Sequence, residues 1–183
     1  ALALAALAPR MAAAHIALTD PPPRSASQKS GPCGGGPGEL RGDVISTFQG
    51  GETIVVRWTE TVDHPGHFRI SFDADGQDDF GDPGSFEELY SNAAVLVDGI
   101  ADQSGSNVMY QQEITLPAMS CGNCTLQVVQ VMTDKAPYGD GNDLYYQCAD
   151  LVLEGIAATT TGPGTTGDAT TGDATTGGAS TGD

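Results

Sequence analysis

The strongest constraint on what this chain can fold into is a hydrophobic period of two. Thr53–Thr61 (TIVVRWTET) alternates Ile54, Val56 and Trp58 with Val55, Arg57 and Thr59, directly after the turn pair Gly50-Gly51. Such alternation sends successive side chains to opposite faces of an extended strand. His67–Phe72 (HFRISF) repeats the pattern after Pro65-Gly66, and Val108–Leu116, Thr125–Met132 and Leu144–Leu153 read the same way. Val44–Phe48 and Ile16–Thr19 are shorter candidates, which makes seven strands punctuated by Gly and Pro. This predicts an all-β protein, an antiparallel immunoglobulin- or fibronectin-like β-sandwich with long loops and a disordered C-terminal tail. Asp73–Asn107 is the exception, being long, acidic and Gly-rich, with a candidate helical piece at Ser85–Val97. Trp58 falls at a position that reads as core.

The two ends differ from this middle. Residues 1–14 (ALALAALAPRMAAA) hold no acid and read as the remnant of a secretory signal peptide. Ala12-Ala13-Ala14 supplies the small residues of a cleavage site, and cutting after Ala14 would leave His15 first; a cut after Ala13 is the alternative. The stretch is too short for a membrane span, which needs about 20 apolar residues. Residues 159–183 repeat TTGDA, lack large apolar side chains, and are expected to be a low-complexity linker. Residues 15–158 are then one domain, long enough to bury a sizeable core. The chain carries 24 Asp+Glu against 7 Lys+Arg, a net charge of −17. That excess repels phosphate backbones and anionic lipid surfaces, so neither nucleic acid nor membrane is an expected partner. A secreted or cell-surface monomer is expected.

Cys33, Cys121, Cys124 and Cys148 in an exported chain predict two disulfides. CGNC at Cys121–Cys124 could also be a redox pair or half a zinc site. However, it opens a strand rather than a helix, and no second matched pair exists. Cys124 and Cys148 fall in neighbouring strand candidates, so the pairs Cys124–Cys148 and Cys33–Cys121 are expected.

The three histidines are His15, His64 and His67. A histidine at a chain start offers both its α-amine and a ring nitrogen to one metal. A second imidazole would complete a T-shaped three-nitrogen site, and tetragonal nitrogen ligation suits copper. The mature start HIALTDPPPRSASQKSGPCGG, the HPGHF motif at His64–Phe68, CGNCTLQVVQVM and LYYQCADLVL together resemble the copper-dependent lytic polysaccharide monooxygenases, in their bacterial polysaccharide-monooxygenase-like branch. The resemblance implies one copper ion held by His15 and His64, with His67 as rival second ligand. It also implies Tyr145 as the axial group, Tyr146 being its in-register rival. The implied activity is oxidative cleavage of a polysaccharide such as chitin or cellulose, using an external electron donor and peroxide or oxygen.

The alternative is an exported copper carrier or resistance protein of β-sandwich type, for which Asp63-His64-Pro65 could supply an Asp-plus-His site. A binding module without metal chemistry is a third reading. Exposed aromatics for a flat carbohydrate face are not evident; Phe80, Phe86, Tyr90 and Tyr138 are the loop candidates. DADGQDD at Asp73–Asp79 places its glycine too early for an EF-hand and reads as a solvated acidic loop. Within residues 15–158 no G-x-S-x-G or phosphate-cradling motif occurs, and no carboxylate pair stands out for glycoside hydrolysis.

Overall fold

The computed structural model describes residues 15–156, and no helix occurs among them. The signal-like residues 1–14 and the linker 159–183 lie outside the described residues. The strands are β1 (Ile16–Asp20), β2 (Ile45–Gly50), β3 (Thr53–Glu60), β4 (Gly66–Asp73), β5 (Val95–Ala101), β6 (Val108–Thr115), β7 (Cys121–Met132) and β8 (Leu144–Ile156). They form a three-stranded sheet, β1-β3-β6, facing a five-stranded sheet, β2-β8-β7-β4-β5. The all-β sandwich expected from alternation is therefore present.

Two features differ from expectation. β5 occupies Val95–Ala101, overlapping the stretch read as a candidate helix. Its pairing with β4 shifts register twice, and Gly99 sits at φ 65°, so no clean alternation marks it. β2 runs parallel to β8, which makes the larger sheet mixed rather than wholly antiparallel. A parallel neighbour needs a long crossover, and here β3 to β7 intervene between the two strands.

Burial explains the strand patterns. β3 alternates buried and open positions because only its inner face is covered. β7 and β8 are buried over most of their length, as strands covered on both faces must be. On the inner face Trp58, Phe68 and Tyr110 cluster, with the Trp58 and Tyr110 rings parallel at 5.3 Å. On the outer face Val129, Val131, Leu144 and Tyr146 pack beneath Phe86 and Tyr138. The acidic segment between β4 and β5 thus serves as a cover. Buried Arg69 of β4 fastens it, pairing with Asp98 at 2.7 Å and donating to Ser91 Oγ and the Glu88 carbonyl, each at 2.9 Å. Breaking such a buried pair costs about 3–5 kcal/mol.

The expected disulfides are corrected. Cys33 pairs with Cys148 and Cys121 with Cys124. Strand parity forbids Cys124–Cys148. Cys124 points into the inner core with Leu126 and Val128, whereas Cys148 lies on the opposite face, with its Sγ beside the Pro32 carbonyl. Cys121 reaches Cys124 because the β7–β8 register is interrupted between them. The Cys33–Cys148 bridge fastens the long β1–β2 connection onto the outer face of β8.

Candidate metal centre

His15 stands immediately before β1, and its carbonyl accepts a hydrogen bond from Thr61 N at 3.0 Å, continuing the β1–β3 ladder. His64 sits in the β3–β4 connection, just after the ladder ends. The two imidazoles lie near-parallel, with centroids 5.0 Å apart. Tyr145, the second residue of β8, stacks on the His15 ring at 3.7 Å. Lys29 Nζ lies 4.3 Å from the centre of the Tyr145 ring. Together with Asp134, Lys135, Ala136, Asp140 and Asn142, the residues His15, His64 and Tyr145 line one surface hollow.

The surroundings orient the two imidazoles. His64 Nδ1 hydrogen-bonds Asp134 Oδ2 at 3.0 Å, so Nε2 is the nitrogen left for another partner. His64 N donates to Glu60 Oε1 at 3.2 Å, and that same oxygen accepts from Gln130 Nε2 at 2.7 Å. Burial, followed by the hydrogen bond with Asp102, pushes the Glu60 carboxyl up to about 7. His15 Nδ1 is buried with no hydrogen-bond partner among the described residues. An orphaned ring nitrogen is costly unless something else satisfies it, and a metal ion does so. The donor set, two imidazoles with one carboxylate-oriented ring, fits copper or zinc by chemistry.

His15 is pushed down to about 4, first by burial and then by the positive charge of His64, Lys29 and Lys135. A base whose folded pKa lies below the unfolded value contributes stability that is fully present above about 6.5 and is lost as pH falls toward 4. Glu60 acts with opposite sign over an overlapping range, so the ring itself is the proper probe. In the metal-free protein, the His15 imidazole followed by NMR should titrate near 4. A midpoint at the ordinary 6.5 would contradict the burial argument. Because neutral imidazole is the ligating form, the His15 ring stays free to bind metal in mild acid.

His15, His64 and Tyr145 are thus brought together. His67 is placed elsewhere, on β4, with Nε2 3.7 Å from Asp98 Oδ1. Tyr146 faces the opposite side of β8 and donates to Asp82 Oδ2 at 3.0 Å. Gln28 and Asp134 complete the surroundings and carry no sequence signal. Each is a single polar residue in a loop, meaningful only through what the fold sets beside it.

The site is thus a pair of imidazoles in a surface hollow at the start of the first strand of a β-sandwich, a donor set that suits copper. Comparison with protein families agrees. The chain belongs to the copper acquisition factor BIM1-like family, whose model matches residues 13–171, and copper is the cofactor this membership assigns. Among solved structures, the fold is similar to an AA15 lytic polysaccharide monooxygenase from Thermobia domestica in the Cu(I) state. The TM-score is 0.51 and the identity 20%, over 76% of this chain and 98% of that one. The catalytic domain of a lytic polysaccharide monooxygenase from Listeria monocytogenes aligns at TM-score 0.46 and 15% identity, over 76% and 99% of the two chains. An AA10 enzyme from Streptomyces lividans aligns at TM-score 0.45 and 15% identity, over 77% and 83%. No curated protein sequence matches the chain.

Proposed function

We propose that this protein captures and holds one copper ion, with His15 supplying its α-amine and Nδ1 and His64 supplying Nε2 once the chain begins at His15. Residues 1–14 are then the removed leader, 15–158 the copper-binding unit, and 159–183 a linker, in an exported or cell-surface monomer. The observation that carries the reading is the buried, partnerless Nδ1 of His15 beside an imidazole whose other nitrogen is already held by Asp134. Bound copper would supply a Lewis-acidic, one-electron centre. The chain's own residues do the rest: Asp134 sets the His64 tautomer, Tyr145 covers one face of the His15 ring, and Glu60 anchors the His64 backbone. No helix among the described residues is long and apolar enough to cross a membrane.

Capture is preferred to catalysis because, besides the two histidines and Tyr145, the hollow is lined by Asp134, Lys135, Ala136, Asp140 and Asn142, with no further aromatic. Of the loop aromatics, Phe86 and Tyr138 are spent on each other, edge to face at 4.9 Å. The second reading is oxidative cleavage of a polysaccharide such as chitin or cellulose by peroxide or oxygen with an external electron donor. The Tyr145 ring stacked on His15 is the observation that favours it.

The deciding experiment loads the protein with one equivalent of Cu(II). One arm offers a metal-free chelating acceptor, and the other a reductant, peroxide and insoluble chitin or cellulose. Capture predicts stoichiometric copper transfer and no oxidised oligosaccharides by mass spectrometry. Release of oxidised oligosaccharides would replace the first reading with the second.

A further inference from the structure

We propose that Gln28 is the positioning residue for the chain's first nitrogen, holding the α-amine of His15 in the orientation that lets it act together with Nδ1 of the same residue. This rests on the copper site proposed above.

Gln28 is buried, at 7% exposure, in the connection between β1 and β2. Its Oε1 accepts from His15 N at 2.8 Å and from Ile16 N at 3.3 Å, while its Nε2 donates to the Ile16 carbonyl. The amide therefore spends its whole acceptor on the first two nitrogens of the strand. Gln28 is itself held firmly, since its carbonyl accepts from Tyr146 N at 2.8 Å. Five residues on, the Cys33–Cys148 bridge ties the same connection to β8. A terminal amine turns freely about its bond to Cα unless something fixes it. A carbonyl oxygen held 2.8 Å away takes one N–H and so fixes where the lone pair points. The contact exists with His15 N as a peptide nitrogen, so the amine would be released into a holder already in place.

The rival explanation is that Gln28 merely caps a strand edge. β1 is the outer strand of its sheet, and its unpaired groups need partners. Gln147 provides an internal control. It caps the same edge two residues further on, its Oε1 accepting from Leu18 N at 2.5 Å, with no contact to His15 N.

The test uses protein beginning at His15, as wild type and as Gln28→Met, Gln28→Glu and Gln147→Met. Cu(II) affinity is measured by competition with a chromophoric chelator, and the ligand field by EPR. Gln28→Met is expected to weaken affinity by about 10- to 100-fold, the usual cost of losing an outer partner of a ligand, and to change the EPR parameters. Gln28→Glu keeps an acceptor in place and should retain the wild-type spectrum, and Gln147→Met should retain both. Wild-type affinity and spectrum in Gln28→Met, or an equal loss in Gln147→Met, would overturn the inference while leaving the copper site standing. A wild-type spectrum indifferent to whether Ala14 is present would remove the site and the inference together.

Discussion

Protein that begins at His15 is expected to bind Cu(II) far more tightly than the same protein carrying Ala14. In the shorter chain His15 offers an amine and a ring nitrogen from one residue. In the longer chain its nitrogen is a peptide amide, whose lone pair is delocalised into the carbonyl and is no donor at neutral pH. Losing a tethered second donor removes its effective-concentration advantage, so affinity should fall by about 10²- to 10⁴-fold. The fold is not expected to change, because the hydrogen bond from His15 N to Gln28 is made by an amide and an amine alike. Isothermal titration of both forms, with matched circular dichroism spectra, measures the difference. Equal affinities would show that the first nitrogen is not a ligand.

Replacing His64 by alanine should be comparably damaging, while His67→Ala should leave copper binding intact. The two histidines lie three residues apart but in different surroundings. His64 faces the His15 ring in the hollow, and its backbone is anchored by Glu60. His67 is beside Asp98 on β4, where burial holds its pKa below the ordinary value despite that carboxylate. His64→Ala deletes one of the three nitrogens proposed as ligands, and a loss of at least about 100-fold is expected, beyond what loss of an outer partner alone brings. His67→Ala is expected to act on stability instead. Parallel titration and thermal melts separate the two outcomes. A copper defect in His67→Ala with normal binding in His64→Ala would reassign the second ligand.

Much of this was legible in the sequence because β-structure writes itself as alternation. β3 declared its inner face through Ile54, Val56 and Trp58, all of which are buried. His15 stood out because the expected cut after Ala14 would place it first, and His64 because HPGHF resembles the family motif once His15 is so placed. The parts that were missed are long-range. β5 was hidden by its register shifts and by Gly99. The cysteine pairing depended on which face of β8 carries Cys148, and neighbouring strands in sequence say nothing about parity. Gln28 lies 13 residues from His15 and Asp134 lies 70 from His64. Neither belongs to a pattern, and only chain closure assigns them a task.

The shortness of β1 bears on how copper would leave. β1 has five residues and lies at a sheet edge. Strand ends of this kind open and close far more often than the interior of a sheet, at a small fraction of the cost of global unfolding. His15 rides on that end, whereas His64 is anchored to the buried Glu60, which Gln130 holds in turn. A fraying event that lifts the first residue would therefore withdraw two of the three nitrogens in one movement, leaving copper on a single imidazole. Bound copper, in turn, would suppress the fraying it depends on. With the ligands proposed above, the exit rate would be set by the local breathing of one short strand, and a competing chelator would need only to be present when it opens.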